Sequence, residues 1–121
     1  MTEIFLPEKP LLLIVDDDPL ICDTLSFSLS SLFAVVTSHS RPHCLQLLRQ
    51  LRRPPELALV DLGLPPVPHR PDEGFALITD LLKIAPEIRI VVLSGQSEDG
   101  NARHARTLGA ADFVAKPCNP G

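Results

Sequence analysis

Leu57-Ala58-Leu59-Val60-Asp61-Leu62 sets four apolar residues directly before a carboxylate. A short continuous apolar run fits a strand buried on both faces of a sheet, so its first charged residue marks where the strand leaves the core. Asp61 is therefore expected at a strand's carboxyl end. Working outward, Leu11 to Val15 meets Asp16-Asp17-Asp18, Ile88 to Leu93 meets Ser94-Gly95, and Asp112 to Ala115 meets Lys116-Pro117. In a parallel α/β sheet, ligands bind outside the carboxyl ends of the strands, so acids, a hydroxyl and an ammonium converge on one rim.

The segments between these runs read as helices and one further strand. Asp18-Pro19 supplies an N-cap and a proline at the first helical position, followed by Ile21, Leu25, Leu29 and Leu32 at helical spacing. Phe33 to Thr37 is a second strand. Pro42 to Arg52 is a helix with Leu45, Leu48 and Leu51 inward, stopped by Pro54-Pro55. Gly74 to Ala85 is a third helix, with Phe75, Ile78 and Leu82 on one side, and Asn101 to Leu108 a fourth, closed by Gly109. Strands alternating with helices through connections too long for hairpins give an α/β fold, a parallel sheet covered on both faces.

The interval from Gly63 to Glu73 carries four prolines, Pro65, Pro66, Pro68 and Pro71, and is neither regular helix nor central strand. Because it leaves directly from Asp61, it is expected to be a stiff flap beside that residue, restricting water access.

At 121 residues, 45% of them hydrophobic, the chain supports one core and one domain over residues 1–121. A formal charge of -4 gives no general reason to bind nucleic acid or an anionic membrane. No apolar run approaches the roughly 20 residues needed to span a bilayer, and Met1 to Pro10 lacks the pattern of a signal peptide, so a cytoplasmic location is expected. Cys22, Cys44 and Cys118 form no C-x-x-C and are expected as reduced thiols. His39, His43, His69 and His104 lack metal-binding spacing and are expected at the surface.

Asp16, Asp17 and Asp61 gathered at strand ends would repel one another and raise at least one pKa, and a divalent cation relieves that repulsion. Hard oxygen ligands, few in number, suit Mg²⁺ better than zinc. Ser94 offers a hydroxyl and Lys116 a point positive charge, the groups that neutralise the equatorial oxygens of a transferring phosphoryl group. Asp61 is then the candidate nucleophile, forming an acyl phosphate.

In this order along nearly the whole chain, Asp16-Asp17, Asp61 with Pro65 four residues on, Ser94-Gly95 and Lys116-Pro117 resemble the receiver domain of two-component response regulators. The resemblance implies a flavodoxin-like, doubly wound five-stranded parallel sheet of order 2-1-3-4-5. It implies Asp61 as phosphoacceptor, and Mg²⁺ held by Asp17, Asp61 and the Gly63 backbone carbonyl, with Asp16 acting largely through water. Ser94 and Lys116 would contact the phosphoryl group, and Phe113 occupies the aromatic switch position. The implied partner is a sensor histidine kinase or phosphotransfer protein. The implied role is signalling, with chemistry confined to the domain's own phosphorylation and dephosphorylation. The long interval from Pro65 to Gly74 is similar to that of receivers in enhancer-binding transcription activators.

Two other readings compete. An Asp-nucleophile phosphohydrolase of the haloacid dehalogenase type also uses an aspartate-first motif, which Asp16-x-Asp18 superficially fits, but its nucleophile follows the first strand and its last motif is acidic, whereas here Lys116 comes last. A degenerate receiver that only binds a partner would lack Mg²⁺-dependent labelling at Asp61. The family's fifth helix, after Lys116-Pro117, is missing from the sequence. A truncated domain is therefore expected, with an output domain beyond residue 121. Apolar residues of the first and last strands would be uncovered, and the chain would associate with a second copy through that face.

Overall fold

The computed structural model describes residues 9–94 and 99–116. In chain order these form β1 (Leu11–Val15), α1 (Pro19–Leu29), β2 (Ala34–Ser38), α2 (Arg41–Gln50), β3 (Leu57–Asp61), α3 (Asp72–Ile84), β4 (Arg89–Ser94), α4 (Asp99–Leu108) and β5 (Asp112–Ala115). The five strands make one parallel sheet in the order β2-β1-β3-β4-β5. The order reverses at β1, which the chain leaves first to one side and then to the other. That is the topological switch point at which the carboxyl ends of β1 and β3 open a crevice.

Alternate residues of the strands feed two cores. Leu12 and Ile14 pack with Cys22, Leu25 and Leu29 of α1, while Leu13, Val15, Ala58, Val60, Ile90 and Val92 face α2, α3 and α4. β1 is buried along its whole length because it lies between β2 and β3 with helices on both faces. Each fully buried Leu or Ile there contributes ~1.5–3 kcal/mol of gross burial energy.

Helix ends follow local chemistry. Asp18 caps α1, its Oδ1 accepting from the Leu20 N–H at 2.9 Å, with Pro19 at the first helical position. Ser40 caps α2, which starts at Arg41, one residue before the expected Pro42, and its hydroxyl accepts from the His43 N–H at 3.2 Å. Gly109 ends α4 at φ 116°, a conformation that favours glycine.

Some expectations need correction. α1 stops at Leu29, so Leu32 lies beyond it and is 65% exposed. α2 ends at Gln50, leaving Leu51 outside the helix as its C-cap, and Cys44 takes the fully buried position. In α3, Leu77 and Leu81 are buried beside Ile78, with Phe75 and Leu82 packing at the margin. Of the two strands expected to be uncovered, β1 is buried throughout against α1, whereas β5 has Val114 43% exposed.

Candidate active site

Three strands deliver the site. β1 ends at Val15, so Asp16 and Asp17 stand on the rim. β3 ends in Asp61 itself, and β5 hands directly to Lys116. Asp16, Asp17 and Asp61 each offer a carboxylate oxygen lying within 4.8 Å of the other two. Lys116 Nζ sits between two of these carboxylates, 2.8 Å from Asp16 Oδ2 and 3.2 Å from Asp61 Oδ2.

The remaining oxygens are held by backbone. Asp16 Oδ1 accepts from the Asp18 N–H at 2.9 Å, and Asp61 Oδ1 from the Gly63 N–H at 3.1 Å. Asp16 is fully buried and Asp61 nearly so. Burial, and then the Asp16 charge, push the Asp61 carboxyl up to about 6, against the pull of Lys116 and the Gly63 N–H. Burial and the Asp16 charge also raise the Asp17 pKa. For Lys116, burial favours the neutral amine, but bonds and charges from Asp16 and Asp61 outweigh it, so its pKa is raised.

The donor set fits a hard divalent cation. Among the described residues, three carboxylates face one ammonium, leaving two negative charges uncompensated in a largely buried place. Asp16 Oδ2, completely buried, accepts no well-directed hydrogen bond from the described residues and lies against the Lys116 charge. A dication coordinated by oxygen relieves this.

Ser94 is the last residue of β4 and pairs with Ala115, one residue before Lys116, which puts its backbone on the same rim. Its side chain lies outside what the structure describes, as do Gly95, Pro117 and Cys118. Phe113 pairs with Val92 in the sheet and is half-buried against the larger core. Cys22 and Cys44 are buried free thiols, pushed up to about 11 and about 12 by burial first. The four histidines are exposed. His39 Nδ1 nevertheless lies 3.0 Å from the Asp16 backbone carbonyl.

One contributor is not evident from motif spacing. The proline loop folds back so that a Cβ on Gly63 would overlap the Pro68 carbonyl oxygen, and that same Cβ would stand 3.9 Å from Asp61 Oδ1. The sequence signal was the glycine itself, two residues after the candidate nucleophile.

An acidic cluster and a lysine at the carboxyl rim of a 2-1-3-4-5 sheet define a class of protein, and residues 12–121 match the response regulator receiver domain: the chain belongs to that family. It is 30% identical over 115 residues to the transcriptional regulatory protein AruR of Pseudomonas aeruginosa, a match covering 92% of this chain and 45% of that protein. It is 32% identical over 108 residues to the transcriptional regulatory protein CreB of Escherichia coli, covering 88% and 44%. A response regulator from Burkholderia pseudomallei, solved with a phosphorylated aspartic acid, calcium ion and citrate, superposes with a TM-score of 0.78 at 31% identity, covering 92% of this chain and 62% of that one. The chain thus spans less than half the length of the two curated relatives. Phosphorylation on an aspartate is the general function of this family, whose receiver domains work with histidine kinases and output domains. Among the described residues no helix is long and apolar enough to cross a membrane.

Proposed function

We propose that Asp61 is the phosphoacceptor of this receiver domain, charged by a phosphohistidine on a sensor histidine kinase or phosphotransfer protein. The observation that carries this is the placement of its carboxylate at the end of a central strand, with Lys116 Nζ at 3.2 Å and two further aspartates alongside. An Asp61 oxygen attacks phosphorus, the phosphorus–nitrogen bond to the donor imidazole breaks, and its electron pair returns to that ring as the acyl phosphate forms. Lys116 exchanges its contact with the free carboxylate for one with the phosphoryl oxygens, holding charge where it develops. Asp16, Asp17, Asp61 and the Gly63 carbonyl are the groups to hold Mg²⁺, which when bound supplies positive charge to the phosphoryl oxygens.

Ser94 contributes its hydroxyl to the phosphoryl group, and Phe113, half-buried on β5, turns further inward as Ser94 is drawn toward that group. The changed surface is read by an output domain. Because the relatives AruR and CreB are transcriptional regulatory proteins, a transcriptional output in the cytoplasm is the reading we favour. The domain's chemistry is its own phosphorylation and dephosphorylation, without turnover of a separate substrate.

Incubation with acetyl phosphate and Mg²⁺ should add one phosphoryl group by intact mass. Asp61→Asn should add none, and a chelator should abolish labelling of the parent. Equal labelling of Asp61→Asn would remove Asp61 from this role.

A further inference from the structure

We propose that the loop from Pro65 to Pro71 is a steric barrier that prolongs the life of the phosphoryl group, with the Pro68 carbonyl as the blocking group and Gly63 as the residue that admits it. This rests on Asp61 being phosphorylated as described above.

The loop is tied at both ends to one atom. The Leu62 carbonyl accepts from the Leu64 N–H at 3.0 Å where the loop leaves and from the Gly74 N–H at 3.2 Å where it returns. Leu64 is fully buried and anchors the departing arm, and an Arg70 N–H to Val67 carbonyl bond of 3.0 Å closes the tip. Gly74 is pressed onto β3's end so closely that a Cβ there would stand 2.7 Å from the Leu62 carbonyl oxygen and 2.9 Å from that of Asp61. Between these ties the backbone seats the Pro68 carbonyl on Gly63, in the space a side chain at position 63 would otherwise occupy, and a Cβ there would stand 3.9 Å from Asp61 Oδ1. Four prolines in nine residues restrict any outward swing.

Loss of the phosphoryl group needs a water oxygen to reach phosphorus opposite the Asp61 oxygen. The new phosphorus–oxygen bond forms as the acyl phosphate bond breaks. Its electron pair returns to the Asp61 carboxylate, the water's proton passes to solvent, and inorganic phosphate leaves. Backbone packed against Gly63 narrows the space from which that water can come. Pro66 and Pro68 carry no N–H, so at these two positions the backbone cannot donate to the phosphoryl oxygens.

The test uses the whole chain, phosphorylated with acetyl phosphate and Mg²⁺, desalted, and followed by intact mass as the phosphoryl group decays. One variant softens the tip at constant length (Val67→Gly, Pro68→Gly, His69→Gly), another lacks Pro66 to Pro71, and Pro68→Ala keeps the carbonyl. The softened and shortened variants should lose phosphate ~3-fold faster or more, and Pro68→Ala should stay within about twofold of the parent. Thermal midpoint and Mg²⁺ affinity, read beside the decay, separate a local barrier from loss of fold. Unchanged or slower decay in a softened variant that melts with the parent overturns the proposal. If the shortened chain does not fold, the softened one decides alone. Labelling that survives Asp61→Asn would instead strike the phosphoacceptor reading on which the barrier depends.

Discussion

Asp61 is held in a position that costs stability when no cation is present. Its folded-state carboxyl is raised from the ordinary 3.8 to about 6, so the folded protein binds this proton more tightly than the unfolded chain does. Stability therefore falls as pH rises from ~4 to ~6 and stays reduced at neutral pH, the opposite of a carboxylate with a depressed pKa. In metal-free buffer, Asp61→Asn should raise stability at pH 7 by ~1–3 kcal/mol, a range set by about two pKa units less the lost pairing with Lys116. Urea denaturation at pH 5 and pH 7 checks this: the parent should lose stability between the two, and the variant should show a flatter profile. A parent more stable at pH 7 than at pH 5, relative to the variant, would contradict the sign. These charges could be located from sequence because each is the first polar residue after an apolar run. What spacing alone could not give is that Asp16 is the more buried partner of Lys116, its Oδ1 already taken by the Asp18 N–H.

At the level of elements, α3 shows how sequence pattern and structure part company. Starting the helix at Gly74 misses its first turn, because Asp72 and Glu73 look like loop residues after four prolines, yet they are the acidic first turn that a helix N-terminus favours. Reading Phe75, Ile78 and Leu82 as the inner face also misses Leu77 and Leu81, because a helix wedged between sheet and α4 buries a wider arc than a single stripe. Gly74 ties this helix to β3, and its need for a missing side chain comes from contact with a strand end twelve residues earlier, which no local pattern reveals. Gly74→Ala should accordingly destabilise the domain by ~2–4 kcal/mol despite alanine's better helix propensity, through backbone displacement at a close contact. A thermal melt no lower than the parent's would show that α3 can shift without cost.

For the whole molecule, the α/β class expected from alternating strands and helices and the strand order implied by the resemblance to receiver domains are those observed. The proline loop's return onto Gly63 was not legible, because it depends on where Leu62 presents its carbonyl after folding. Cation binding should act on the fold, as the aspartates proposed to ligate it follow β1 and end β3, strands far apart along the chain that pair only on folding. At 100 times its dissociation constant, Mg²⁺ should add ~2.7 kcal/mol and raise the melting temperature by roughly 10 °C or more. Asp61→Asn should show a much smaller rise. A parent whose melting temperature ignores Mg²⁺ would mean that the acids do not hold it.

The wide separation of Asp16, Asp61 and Lys116 along the chain has a consequence during synthesis. A ribosome that has made β1 through β3 has already produced the acids, but the ammonium that sits between Asp16 and Asp61 belongs to the final strand. Until Lys116 has emerged and β5 has docked beside β4, the nascent chain carries Asp16 and Asp61 without this counter-charge, and on the proposed reading of Asp61 it is not yet competent to be phosphorylated.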